Sequence, residues 1–167
     1  MAAPTVRLHL LDAPTLQALL DGDLARARAA AGGILLPAEF LRDTWLWTLR
    51  LGQVVGEPDH APWLVRAVVV GADEVVGHAG FHGPPDERGM VEVGYRIVPG
   101  RRRRGYARAA LAELLAFAGA NGARVARASI SPDNAASLAL AASFGFVRTG
   151  EQMDEIDGLE LQYERQV

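Results

Sequence analysis

The sequence predicts an α+β domain in which a mixed, mostly antiparallel sheet of about six or seven strands is flanked by about four helices. Three observations lead there. Residues 63–98 hold three β-branched and aromatic segments separated by GAD and HGPPDERG, which read as an antiparallel meander. Helical spacing holds on both sides of that run. Of the 167 residues, 50% are hydrophobic and 22% charged, with no repeat or linker, so one domain with a real core is expected over 1–167.

The elements follow in order. Residues 6–11 alternate apolar and polar and form the first strand. Asp12 offers a cap ahead of Pro14, and the next helix stops near Gly22. ARARAAAGG is a second short helix or a loop. Pro37 opens a stronger helix, AEFLRDTWLWTLRLG, ending at Gly52. Leu41, Trp45 and Leu49 recur at four-residue spacing there, which puts Trp45 in the core. Trp47 falls on another face, free to line a substrate cleft. Strands are expected at 63–70, 74–81 and 90–98. Residues 104–118 are helical, with Ala107, Leu111, Leu114 and Ala118 as one apolar stripe. A strand at 124–131 precedes a helix started by Pro132-Asp133-Asn134 and ended before Gly145. Residues 146–149 and 159–163 close the sheet as a strand pair.

The chain has no cysteine, which excludes a disulfide framework, cysteine nucleophiles and thiolate metal sites, and suits a reducing cytoplasm. MAAPTVRLHLLDAP lacks a basic segment followed by a long apolar run, so no leader is expected. No apolar run reaches the roughly 18 residues that span a bilayer, so the chain is expected to be cytoplasmic with no membrane partner. A net charge of -3 and a pI near 5.8 argue against wholesale nucleic-acid binding. The charges are unevenly placed: 101–108 carries five arginines and no acid, and 151–160 five acids and no base.

The arginine run, PGRRRRGYAR, lies between a strand and a helix. The first turn of a helix leaves about four backbone N–H groups unpaired, and with the positive end of the helix dipole they favour an anion. Gly105 lets a ligand approach the main chain, and the small Ala107 follows it. Arginines nearby add charge-assisted hydrogen bonds to phosphate oxygens. The residues therefore predict a phosphate cradle. Gly-Lys-Ser/Thr and GxGxxG are both absent, so it is neither a Walker loop nor a dinucleotide fingerprint. Strands precede the helix where a helix-turn-helix would need a helix.

Arg102-Arg103-Arg104-Gly105-Tyr106-Ala107 resembles the Q/R-x-x-G-x-G/A signature of the GNAT superfamily of N-acetyltransferases. VEVGYRIVP is similar to that family's fourth strand, and SPDNAASLALAASFGF to its N-x-x-S…G-F helix and turn. The resemblance runs from about Val75 to Thr149 and looks most like the branch containing ribosomal-protein N-terminal acetyltransferases. It implies a single GNAT-like domain that uses acetyl-CoA and no metal. The pyrophosphate would lie on the amides of Arg103 to Ala107, beside Arg102 and with Arg108 just inside the helix. The pantetheine arm would run along the fourth strand near Ile97 and Val98, where a main-chain N–H would polarise the thioester carbonyl. Asn134 either caps its helix or, as the family implies, contacts the pantetheine arm or the acceptor side.

Acetylating an ammonium needs a base. Glu92 is the first candidate, since with Val91 and Val93 facing the core it points the other way, and the family often keeps an acid on this strand. His78 and His82 are second candidates, because histidine titrates in the useful range. Many relatives place a tyrosine four residues before the Gly of the G-F turn as the acid for the leaving thiolate; here that position is Ala141. Ser137 or Tyr95 would substitute. The acceptor is expected to be a small-molecule amine or a protein N-terminus, with the chain a monomer or homodimer. A polyamine would suit an acidic cleft, which the acids of 151–160 would supply if they fold over the site. Two other classes compete: an acyl-CoA-binding module without turnover, motivated by Ala141, and a nucleic-acid binder using the arginine run.

Overall fold

The computed structural model describes residues 4–167; residues 1–3, the start of the segment examined for a leader, lie outside them. Among these described residues seven strands form one sheet: β1 (Arg7–Leu10), β2 (Arg66–Val70), β3 (Glu74–Phe81), β4 (Met90–Ile97), β5 (Val125–Ile130), β6 (Val147–Asp154) and β7 (Gly158–Gln166). Their spatial order is β1-β2-β3-β4-β5-β7-β6. β4 and β5 pair in parallel, and the other neighbours pair antiparallel. Among the described residues five α-helices cover the faces: α1 (Ala13–Leu20), α2 (Leu24–Ala30), α3 (Thr44–Gly56), α4 (Tyr106–Ala120) and α5 (Ala135–Ser143). No helix among the described residues is long and apolar enough to cross a membrane.

The meander stands where the residue pattern put it, with β2, β3 and β4 paired in sequence. The ARARAAAGG stretch resolves as α2, started by Asp23, whose carboxylate accepts from the Arg26 N–H at 2.9 Å. Asp12 likewise caps α1 by accepting from the Thr15 N–H at 3.0 Å.

Each face of the sheet packs its own core. On one face Leu111 and Leu114 of α4, Ala141 of α5 and Phe146 just beyond it pack with Val91, Val93 and Phe81. On the other, α1, α2 and α3 bury Leu16, Leu19, Phe40 and Trp47 against Ala67, Val69 and Val75. Each such side chain contributes about 1.5–3 kcal/mol through its burial.

The expected helix over 38–52 is corrected. Residues Ala38–Arg42 form a 3-10 turn, Asp43 breaks the chain at φ -85° and ψ 40°, and α3 starts afresh at Thr44. The restart changes which face meets the sheet. Trp47 is fully buried, donating its indole N–H to the Phe40 carbonyl at 2.5 Å, while Trp45 is 57% exposed. The expected roles of the two tryptophans are thus reversed. α3 is apolar on nearly every side, so its periodicity supports more than one inward stripe, and packing selects among them. Arg50 turns inward with Trp47.

Candidate active site

β4 and β5 pair only through Met90–Val125, Val91–Ala126 and Glu92–Arg127. Beyond Glu92 the strands part. On its other edge β4 stays in register with β3, and there the His82 N–H donates to the Glu92 carbonyl and the Val98 N–H to that of Val76, both at 2.9 Å. An antiparallel ladder alternates direction along the strand, so the N–H groups of Tyr95 and Ile97 face the gap that β5 has left. Ile97 is therefore placed at the gap. Val98 is not, since its N–H belongs to the ladder.

Against this gap lies a cleft of about 470 Å³. Its floor is Tyr95 and Ile97, one wall is the Arg101–Arg108 segment, and the other is Asn134, Ser137 and Leu140 of α5 and its approach. Gly105, at φ 81°, is the residue before α4, and no side chain among the described residues caps that helix. The left-handed conformation suits glycine and turns the free amides of the first turn outward. Arg103 has φ 59°, unusual for a residue with a Cβ, so the loop alternates hand around Arg104. A loop of that kind aims successive N–H groups at one point.

The arginines divide by what they touch. Arg101 pairs with Glu74. Arg102 donates from Nε to the Ile97 carbonyl at 3.0 Å, tying the loop to the end of β4. Arg108 reaches across to the Ser143 hydroxyl at 2.7 Å and lies 5.2 Å from the centre of the Phe144 ring, which ties α4 to α5. Arg103 and Arg104 make no hydrogen bond or ion pair with another described residue. Of these two, Arg103 lines the cleft, with Tyr106 and Ala107 beside it, and Arg104 does not.

Asn134 caps α5, its side-chain oxygen accepting from the Ser137 N–H at 3.1 Å, and it also borders the cleft. Tyr95 and Ser137 meet there. Burial pushes the Tyr95 phenol up, with Ser137 pulling the other way, so the phenol holds its proton at neutral pH. Ala141 is 2% exposed and packed in the core, so a tyrosine at that position has no room without repacking.

Glu92 sits on the opposite face of β4 from the buried Val91 and Val93, with its side chain 18% exposed. His82 Nδ1 lies 3.6 Å from its Oε1. The imidazole crosses above Gly94, where an added Cβ would stand 3.3 Å from Nε2. Half of the His82 side chain is exposed, yet the protein around it lowers its pKa by desolvation, with Glu92 opposing and Arg50 adding to the fall. His82 is therefore neutral at pH 7, with the lone pair of a base. His78, on β3, packs edge-on to Trp47 at 5.4 Å and lies 3.8 Å from Asp43. The acidic 151–160 stretch forms the β6–β7 hairpin, and Asp154 and Glu160 come close enough to act electrostatically on His82 and beside Glu92.

Sequence reasoning missed Arg50. Its only signal, an arginine on an inward face, depended on knowing how α3 is turned. Among the described residues no group of three or more His, Asp or Glu is placed to hold a metal ion.

Comparison with known proteins agrees with this fold. The solved structure of Mycobacterium smegmatis RimJ in complex with CoA-disulfide superposes with a TM-score of 0.68 at 19% identity, covering 97% of this chain and 82% of that one. Ribosomal-protein-S5-alanine acetyltransferase from Vibrio fischeri gives 0.67 at 16% identity, over 99% and 95% of the two chains. A phosphinothricin acetyltransferase from Sinorhizobium meliloti in complex with AcCoA gives 0.63 at 19%, over 98% and 89%. The uncharacterized N-acetyltransferase YjdG of Bacillus subtilis (strain 168) is 44% identical over 45 residues; that match spans about a quarter of the relative's length, 27% of each chain. The family description "Acetyltransferase (GNAT) domain" matches residues 7–147. With its uncapped α4 behind a left-handed glycine and its parted β4 and β5, this chain belongs to the GNAT acetyltransferase family.

Proposed function

We propose that the protein is an acetyl-CoA-dependent N-acetyltransferase acting on a primary amine by direct attack, with no covalent enzyme intermediate. The observation that carries this is the junction of two unpaired backbone features in one cleft: the free amides behind Gly105 and the free β4 edge at Tyr95 and Ile97. Acetyl-CoA fits both. Its pyrophosphate matches the amides of Arg103 to Ala107 with Arg103 alongside, and its amide-bearing pantetheine arm matches an added strand on β4. The CoA-disulfide complex of the Mycobacterium neighbour and the AcCoA complex of the Sinorhizobium neighbour support the assignment. When bound, acetyl-CoA supplies the acetyl group as a thioester, and the amine nitrogen takes it as the C–S bond breaks.

The residues divide the proton work. Glu92 and the neutral His82 take the proton from the incoming ammonium, as a pair or through water. An amide at Tyr95 or Ile97 holds the thioester oxygen. The phenol of Tyr95, with Ser137 next to it, donates to the departing thiolate and replaces the tyrosine that Ala141 lacks. Acid and base thus approach from opposite faces of β4 and meet where β5 has parted.

The test is thiol release from acetyl-CoA with a panel of an N-terminal peptide, a polyamine, amino acids and an aminoglycoside. Turnover on one class is expected, with Glu92→Gln lowering kcat by about 10²-fold or more. Stabilisation by acetyl-CoA with no thiol release on any amine would replace this reading with a binding module.

A further inference from the structure

Arg50 is 92% buried by its 8% exposure, and its guanidinium has no carboxylate partner among the described residues. Its hydrogen bond goes to the neutral Gln53 Oε1, at 2.7 Å. A buried charge without a counter-charge is costly, and desolvation lowers the Arg50 pKa accordingly. The other buried arginine, Arg66, shows how this fold settles a guanidinium. Arg66 donates to the carbonyls of Leu64 and Pro62 and lies 4.4 Å from the centre of the Phe117 ring. Arg50 has no such arrangement. Instead it lines a cavity of about 110 Å³ together with His78, His82, Gly94 and Tyr95.

Tyr95 also lines the large cleft, so the two cavities meet at β4. His82 feels charges of both signs, Arg50 lowering its pKa and Glu92 and Asp154 raising it, after the larger lowering by desolvation. Glu160 joins these acids, its pKa raised by burial and by neighbouring acids. The pocket thus holds the Arg50 cation, and Glu92 is reached from it through His82, whose Nδ1 lies 3.6 Å from Glu92 Oε1. Its volume admits a carboxylate with a few carbons.

We propose that this pocket selects an acceptor carrying both an amine and a nearby carboxylate, a small free amino acid, with the carboxylate on the Arg50 guanidinium and the amine toward Glu92 and His82. The inference rests on the acetyl-transfer reading and sharpens it. A polyamine would meet the acids and leave Arg50 facing a second cation. The N-terminal residue of a peptide has its carboxyl in an amide and leaves Arg50 unpaired. Gln53 fits the same arrangement: its amide Nε2 donates to the His82 carbonyl at 3.1 Å, so one side chain holds both Arg50 and the histidine loop in place.

The experiment compares thiol release by the full chain with each standard L-amino acid and its carboxamide, with spermidine and an N-terminal peptide in the same plate. A charge-assisted pair predicts that the best free acid exceeds its amide by about 10- to 100-fold in kcat/KM, chiefly through KM. Arg50→Met should collapse that ratio to below about threefold and raise the thermal midpoint, because a partnerless buried charge is replaced by an apolar side chain. A merely structural arginine would give a lower midpoint and an unchanged ratio. Equal rates for acids and amides, or a preference for spermidine or the peptide, overturn the inference and leave acetyl transfer standing. No turnover of any amine, with acetyl-CoA still binding, overturns both. Should Arg50→Met fail to fold, the acid-to-amide ratio of the unaltered protein decides alone.

Discussion

Replacing Gly105 by alanine tests the cradle at its narrowest point. The residue has φ 81°, where a Cβ costs about 1–2 kcal/mol. An added Cβ would also stand 3.0 Å from Pro4 Cδ and 3.3 Å from its Cγ, so the ring must shift by a few tenths of an ångström. For a chain of this size the strain lowers the thermal midpoint by about 2–8 °C. Relieving the strained φ and the Pro4 contact displaces the Gly105 backbone and with it the loop amides, and losing one or two hydrogen bonds to a charged group reduces acetyl-CoA affinity by about 10- to 100-fold. Gly122→Ala separates the two effects. Gly122 has φ 87° with nothing within 4 Å of an added Cβ. It lies past the far end of α4, about 25 Å away by helix rise. It should show a similar backbone penalty with unchanged affinity. Calorimetry on both variants is the assay. If Gly105→Ala bound acetyl-CoA within twofold of the unaltered protein, the pyrophosphate would not sit on these amides.

Three further outcomes follow from the same geometry. Arg103→Gly should relieve a left-handed backbone of about 1 kcal/mol yet weaken acetyl-CoA binding, so melting temperature and affinity move in opposite directions. Trp47→Ala should destabilise by about 3–5 kcal/mol and Trp45→Ala by under about 0.5, as read by denaturant unfolding; the reverse ranking would refute the phase of α3. Acid sensitivity should trace to His82. Its folded pKa lies below its ordinary 6.5, so as pH falls through 6.5 the unfolded chain binds a proton that the folded one refuses, and stability drops. In the proposed mechanism its neutral form shares the base role, so kcat/KM should rise with pH through a midpoint below 6.5. Asp43, lowered below its ordinary 3.8 chiefly by the neighbouring His78, titrates too low to share this window. His82→Asn should flatten both profiles above pH 5.

The strands of the meander, the helix after the arginine run and the glycine that opens it were legible because their signals are local. Alternation, a turn sequence and a residue without a Cβ each act within a few residues, whatever the rest of the chain does. The face of Glu92 was legible for the same reason, since a strand's period of two ties it to its valine neighbours. What α3 presents to the sheet was not. TWLWTLRLGQVVG is apolar nearly all round, and a break at Asp43 reset its phase, so the burial of Trp47 and Arg50 depends on what lies beneath the helix. The same holds for the four arginines. In the chain they are equivalent neighbours, but Glu74, the Ile97 carbonyl and the parting of β4 from β5 give Arg101, Arg102 and Arg103 different work. Local sequence determined the strands, the turn glycine and the outward face of β4. Tertiary structure alone decided which charges stay free for a ligand, because a charge is free only when no distant part of the chain arrives to pair with it.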